Sequence, residues 1–158
     1  MKEIERIVDQ LDRAFGGDAW HGPSVGSVID EVTAQQAAAR PIKGGHSIWE
    51  IVLHIAAWER ACRSRLQGDR EQLSATEDWP PLTVTGPEAW EETRTLLKQG
   101  HDDLRAAVVL VDESRLDGPI IEGMSTVYVT LHGIIQHDLY HAGQIAILKK
   151  ASAEVATL

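Results

Sequence analysis

The feature that most constrains the fold is a helical spacing of apolar residues in four long segments, with almost no strand-like alternation. Apolar side chains at three- and four-residue steps form one stripe on a helix, and such a stripe faces a core. The predicted long helices span about residues 2–15, 48–67 and 87–111, and the last runs from a Ser125 cap to about Lys150. Shorter helical pieces are expected from Val25 and after Thr33. The chain is therefore predicted to be all-α, a four-helix bundle.

Local signals set the ends of these helices. Ser47 and Glu50 have the S-x-x-E spacing of a capping box, so the second long helix is predicted to start at Ile48. Gly68 is expected just after its C-cap, where glycine is favoured. Residues 69–86, which include Trp79-Pro80-Pro81, are predicted to be a long connection to the third long helix.

Length and composition limit the classes of protein. The 158 residues suit one domain, 1–158. With 24 acidic and 15 basic residues the net charge is −9, and there is no basic run, which argues against nucleic acid or an anionic membrane surface as a partner. The single cysteine, Cys62, excludes an intramolecular disulfide and fits a reducing compartment. The N-terminus lacks a signal-peptide pattern and no apolar run approaches ~18 residues, so we expect a cytoplasmic protein.

The stretch Leu131–Leu148, LHGIIQHDLYHAGQIAIL, places polar groups on a face that should be buried. His137 and His141 project from the same side as the apolar stripe, one helical turn apart, which suits two positions on one metal ion. Alternatively, they are core histidines whose nitrogens are satisfied by Gln144 and its neighbours. His54 lies on the flank of the second helix's stripe, so three imidazoles could form a site for zinc, nickel or a similar divalent ion.

The segments HSIWEIVLHIAAWER and LHGIIQHDLYHAGQI, with the loop AWHGPS and the preceding Gly44-Gly45, resemble the DinB/YfiT-like family of metal-dependent four-helix bundles. The resemblance covers nearly the whole chain. It implies that the metal ligands are His54, His137 and His141, and that homodimers are possible. Members are similar in fold to bacillithiol transferases and to the mycothiol-dependent maleylpyruvate isomerase. The resemblance says little about the substrate.

Other polar residues have predicted supporting roles. His101 is expected to be a hydrogen-bonded core residue, and Gln144 to orient an imidazole or a bound water. Glu50 is expected to cap its helix rather than act as a base. Asp138 and Tyr140 could hydrogen-bond the site or meet solvent. Three further histidines are expected outside the site: His21, His46 and His132. Four tryptophans are expected in core or interface positions: Trp49, Trp58, Trp79 and Trp90.

A metal ion with three protein ligands keeps a position open, as in catalytic sites. The first hypothesis is a metalloenzyme, a thiol S-transferase or a hydrolase, acting on a small molecule such as a low-molecular-weight thiol. The second is a non-catalytic metal or small-ligand binding protein, with a stress-linked role as one alternative. Cys62 lies about 12 Å along the helix axis from His54 at ~1.5 Å per residue, so we expect it to be a small buried hydrophobe and not a ligand. No catalytic side chain is predicted.

Overall fold

The structure is a computed structural model. In the part of the chain that it describes there are four long helices and three short ones, joined by loops. This part comprises the backbone of residues 1–155 and the side chains of residues 1–152, so the end of the predicted 1–158 domain lies outside it. The helices are α1 (Glu3–Phe15), α2 (Val25–Ile29), α3 (Ala34–Ala38), α4 (Ile48–Leu66), α5 (Ala75–Asp78), α6 (Pro87–Val109) and α7 (Val127–Val155). A 3₁₀ turn spans Glu113–Arg115. Within residues 1–155 there is no β-strand, and the predicted all-α bundle is confirmed.

Helices α4 and α6 run in the same direction. The indole Nε1 of Trp49 donates to the hydroxyl of Thr93 at 2.9 Å, and Glu59, farther along α4, contacts His101, farther along α6. Because neighbouring parallel helices cannot be joined by a short turn, the connection 69–86 has to return along the bundle. Helix α7 packs against both α1 and α4.

The apolar interior is divided into two clusters by a layer of polar side chains. The first cluster includes Ile7, Leu11, Cys62, Leu104, Val108, Leu131 and Ile135. The second includes Ile48, Val52, Ile55, Leu97, Ala142, Ile145 and Leu148. Between these clusters lie three buried polar side chains, one from each of α4, α6 and α7: Glu59, His101 and Asp138. We call these three residues the central polar layer.

The capping signals of α4 are confirmed. Ser47 and Glu50 form the reciprocal capping box, and Gly68 follows the C-cap with a φ of 101°, a conformation that glycine adopts without strain. The predicted cap of the last helix is wrong by one residue. The hydroxyl of Thr126, not Ser125, accepts a hydrogen bond from the backbone N–H of Val129 at 3.1 Å. The carbonyl of Ser125 instead accepts the N–H of Ile120 at 2.9 Å, which ties Ser125 to the preceding turn.

The connection 69–86 contains a helical turn that the sequence analysis missed. Helix α5 begins after Ser74, whose backbone N–H donates to the carboxylate of Glu77 at 2.9 Å. This is again an S-x-x-E capping box, so the signal was present in the sequence. The turn brings Asp78 and Trp79 against α4. No helix within the described residues is long and apolar enough to span a membrane.

Candidate metal centre

Three histidine side chains from two helices converge at one end of the central polar layer. His54 comes from α4, and His137 and His141 come from successive turns of α7. One ring nitrogen from each lies within 4.8 Å of the others. The Nε2 atoms of His54 and His137 are 3.0 Å apart. The structure therefore brings together all three residues that the sequence predicts as metal ligands.

The ring of His54 is held by the end of α5. Its Nδ1 donates to the backbone carbonyl of Asp78 at 2.7 Å, with a carboxylate oxygen of the same residue at 3.1 Å. The indole Nε1 of Trp58 donates to that carboxylate oxygen at 2.6 Å and fixes it in place. A proton on Nδ1 leaves the lone pair of the neutral imidazole on Nε2, the atom that faces His137.

The ring of His141 is held within α7. Its Nδ1 lies 2.7 Å from the side-chain oxygen of Gln144, one turn further along, and therefore donates to it. The lone pair of His141 is again left on Nε2. Gln144 therefore orients an imidazole, as predicted from the sequence. Oxygen acceptors that orient metal-binding imidazoles in this way are a general feature of metal sites.

An aromatic stack closes one side of the centre. The indole of Trp79 lies parallel to the ring of His54, with centroids 3.9 Å apart, and parallel to His46 on its other face at 3.6 Å. The stack fixes the plane of the His54 ring and keeps water from that face. The sequence predicts His46 outside the site and Trp79 in a core or interface position. Both lie at its edge, because α5 turns the connection back onto α4.

Burial favours the neutral form of all three imidazoles. Burial lowers the pKa of His54 and His137, and it lowers the pKa of His141 to about 4, assisted by the charge that a protonated His137 would carry. A neutral imidazole is the form that binds metal ions, so the three residues need no deprotonation to act as ligands.

The supporting polar residues divide between core and surface. Nδ1 of His101 donates to a carboxylate oxygen of Glu59 at 3.0 Å, and its ring stacks on Phe15, so it is the hydrogen-bonded core residue that was predicted. Glu50 accepts the backbone N–H of Ser47 at 2.8 Å, as a cap does. The two residues whose surroundings the sequence left open differ: Asp138 is fully buried, whereas Tyr140 is 66% exposed.

Cys62 lies in the first apolar cluster, away from the histidines. It is 3% exposed, and burial raises the pKa of its thiol to about 12. A thiol with this pKa is protonated at neutral pH and is a poor nucleophile or ligand. This placement agrees with its predicted role as a small buried hydrophobe.

The donor set fits a divalent metal ion. With the lone pair of His54 on Nε2, this 3.0 Å contact is either a hydrogen bond from a proton on Nε2 of His137 or the place of a cation that both nitrogens bind. The spacing is close to that of two nitrogens bound to one tetrahedral zinc, about 3.3 Å for Zn–N bonds of about 2.0 Å. Three imidazoles suit zinc, nickel and related ions. Fold and site together define an all-helical bundle with a candidate three-histidine metal centre.

The sequence model of the DinB superfamily matches residues 24–145, and the chain belongs to that superfamily. The chain is also similar to the crystal structure of a conserved protein from Enterococcus faecalis, with a TM-score of 0.76 and 16% identity. The match covers 98% of this chain and 99% of the other. At this identity it supports the fold alone. A comparison with curated proteins found no match.

Proposed function

We propose that this chain binds one divalent metal ion, zinc or nickel, through the Nε2 atoms of His54, His137 and His141, and uses it as an enzyme on a small-molecule substrate. The observation that carries the proposal is the common focus of these nitrogens while Nδ1 of His54 and of His141 already has an oxygen partner. One hydrogen bond between His54 and His137 would satisfy a core pair; the third imidazole at the same point, His141, is what favours a metal ion.

The surrounding residues orient the ligands and control access to them. Asp78 and Gln144 keep two imidazoles in the ligating tautomer, and Trp79 shields the face of His54. The His137 side chain is 24% exposed, against 7% for His54, so access to the site is from the side of His137. When bound, a divalent ion here supplies Lewis acidity towards a thiol, a water molecule or a substrate oxygen.

The position of Cys62 favours a thiol that arrives with the substrate or a cosubstrate. A thiol S-transferase needs a thiolate at the metal centre, and Cys62 is buried, protonated and in the first apolar cluster. A low-molecular-weight thiol would therefore supply the nucleophile. A hydrolase would use water at the same place, and the same histidines would serve it.

Paired activity assays test the proposal. Zinc-loaded and chelator-treated protein are given an electrophile with and without a low-molecular-weight thiol, and separately a panel of esters and amides. We expect the electrophile to be consumed only when both the metal and the thiol are present. Cys62→Ala should keep this activity, and His141→Ala should lose it. His132→Ala, on the same helix but outside the site, is the matched control.

The other outcomes are equally informative. Metal-dependent activity with water alone, unaffected by any thiol, would assign a hydrolase. No turnover in either assay, with the metal fully bound, would overturn the enzymatic part of the proposal. The chain would then be a non-catalytic metal-binding protein.

A further inference from the structure

Four polar atoms beside the metal centre are buried without a hydrogen-bond partner among the side chains that the structure describes. They are Nδ1 of His137, both carboxylate oxygens of Asp138, and Oε2 of Glu59. An unsatisfied buried polar atom is destabilising, and more so when the group is charged. Four such atoms on three neighbouring residues therefore call for a common explanation.

His137 differs from the other two candidate ligands in what holds its ring. Nδ1 of His54 faces a carbonyl oxygen and Nδ1 of His141 faces an amide oxygen, whereas Nδ1 of His137 has no partner. A carboxylate oxygen of Asp138 lies 3.6 Å from it and is itself without a donor. This is a few tenths of an ångström beyond a hydrogen bond, a gap that a small rotation of either side chain would close.

Asp138 is backed by a second buried carboxyl group. Asp138 and Glu59 are both fully buried, and burial raises the pKa of both carboxyl groups, with the charge of Asp138 raising that of Glu59 further, so the pair shares one proton rather than carrying two charges. The other oxygen of Glu59 accepts Nδ1–H of His101, whose ring rests on Phe15. Glu59 is thus fixed from behind, with its free oxygen left for another partner.

The donors and acceptors of these residues form a complete chain if Glu59 carries one proton. Nδ1–H of His101 already donates to Oε1 of Glu59. An acid O–H at Oε2 would then have Asp138 as its acceptor, and Nδ1–H of His137 would have the other oxygen of Asp138. Each of the four unsatisfied atoms then has a partner. The lone pair of His137 is left on Nε2, as in His54 and His141.

We propose that Asp138 is the positioning carboxylate of the metal centre: it accepts the Nδ1 proton of His137 and is held in place by Glu59 and His101. The inference rests on the proposed metal binding. It gives the central polar layer a role, since residues from α4, α6 and α7 together aim one ligand. A carboxylate acceptor also makes the His137 imidazole a more basic ligand than a neutral acceptor would.

Zinc affinity of the folded protein, measured by competition with a chelating dye, tests the inference. Asp138→Asn keeps an acceptor but removes its charge, and we expect about a 10-fold loss; Asp138→Ala removes the acceptor, and we expect about a 100-fold loss. Glu59→Gln should stay within about 3-fold of wild type, because an amide reproduces the donor and acceptor of a protonated carboxyl group. Asp30→Asn, an exposed residue with the same charge change, is the control.

Nuclear magnetic resonance of the zinc-loaded wild type provides a second measurement, should Asp138→Ala fail to fold. The Nδ1 proton of His137 should resonate downfield of that of His141, because its acceptor is charged, and Asp138→Asn should shift it upfield. Zinc affinities of Asp138→Asn and Asp138→Ala within about 3-fold of wild type, or an unshifted proton in Asp138→Asn, would overturn this inference while leaving metal binding intact. A wild type that binds no zinc would overturn both.

Discussion

The Nε2 atoms of His54 and His137 lie 3.0 Å apart although 83 positions separate the two residues in the chain. The lone pair of His54 points at this contact because its Nδ1 proton is committed to Asp78. Bringing two imidazole nitrogens so close inside a protein is unfavourable without a positive charge or a shared proton between them. A proton on Nε2 of His137 can fill this gap in the metal-free protein, and we expect a bound cation to replace that proton and stabilise the fold.

Zinc should raise the free energy of unfolding of the wild type. A ligand that binds only the folded state stabilises it by RT ln(1 + [L]/Kd), or about 2.7 kcal/mol at a hundredfold excess over Kd. Thermal and denaturant unfolding with and without zinc measure the effect. We expect it to disappear in His54→Ala and to persist in His21→Ala, an exposed histidine outside the site. Equal stabilisation of both variants would place the zinc elsewhere.

Gln144 should matter for metal affinity although it is not a predicted ligand. Gln144→Ala removes the oxygen that holds the His141 ring, and changes of this kind cost about 10–100-fold in affinity. Gln136→Ala, an exposed glutamine on the same helix, should have no measurable effect. A chelator competition assay compares the two. Equal affinities would show that Gln144 plays no part in orienting His141.

The corrected cap of α7 gives a stability test. Thr126→Ala removes the side-chain acceptor for the N–H of Val129 and should cost about 1 kcal/mol in the free energy of unfolding. Ser125→Ala should change it by less than about 0.5 kcal/mol, because Ser125 uses its backbone carbonyl. Urea unfolding of the two variants decides between them. The reverse order would restore Ser125 as the cap.

His101 should make the protein less stable in mild acid. Burial lowers its pKa from 6.5 to about 4 in the folded state, so between these pH values the unfolded chain binds more protons. Its contribution to stability is complete above pH 6.5 and is lost as the pH falls towards 4. His101→Asn keeps a donor for Glu59 but does not titrate.

Unfolding at pH 7.5 and pH 5 measures this contribution. The wild type should lose roughly 2 kcal/mol more than His101→Asn between the two values. The comparison cancels the titration of groups common to both proteins, including the other buried histidines. Parallel losses in wild type and variant would show that His101 titrates normally in the folded state.

The sequence predicted the helices and the candidate ligands because both depend on local spacing. His137 and His141 follow from one helical turn, and His54 from the stripe of α4. The parallel course of α4 and α6 was not predictable in this way, since it depends on contacts between residues such as Glu59 and His101, 42 positions apart.

The surroundings of the ligands were harder to predict. Trp79 reaches the site because α5 redirects the connection, and only the Ser74–Glu77 capping box signalled that turn. The burial of Asp138 contradicts the general preference of aspartate for solvent. Its position follows from the helical face of α7 that carries His141, but its proposed partner Glu59 comes from another helix, which no spacing along the chain reveals.

The most direct test of the central claim is the zinc content of each protein after loading and removal of free metal, measured by elemental analysis. The wild type should hold about one ion per chain. His54→Ala, His137→Ala and His141→Ala should each lose most of it, because two protein ligands seldom retain a labile divalent ion. His132→Ala, which alters a histidine on α7 outside the site, should keep it. Full zinc content in His137→Ala would contradict the assignment of the site.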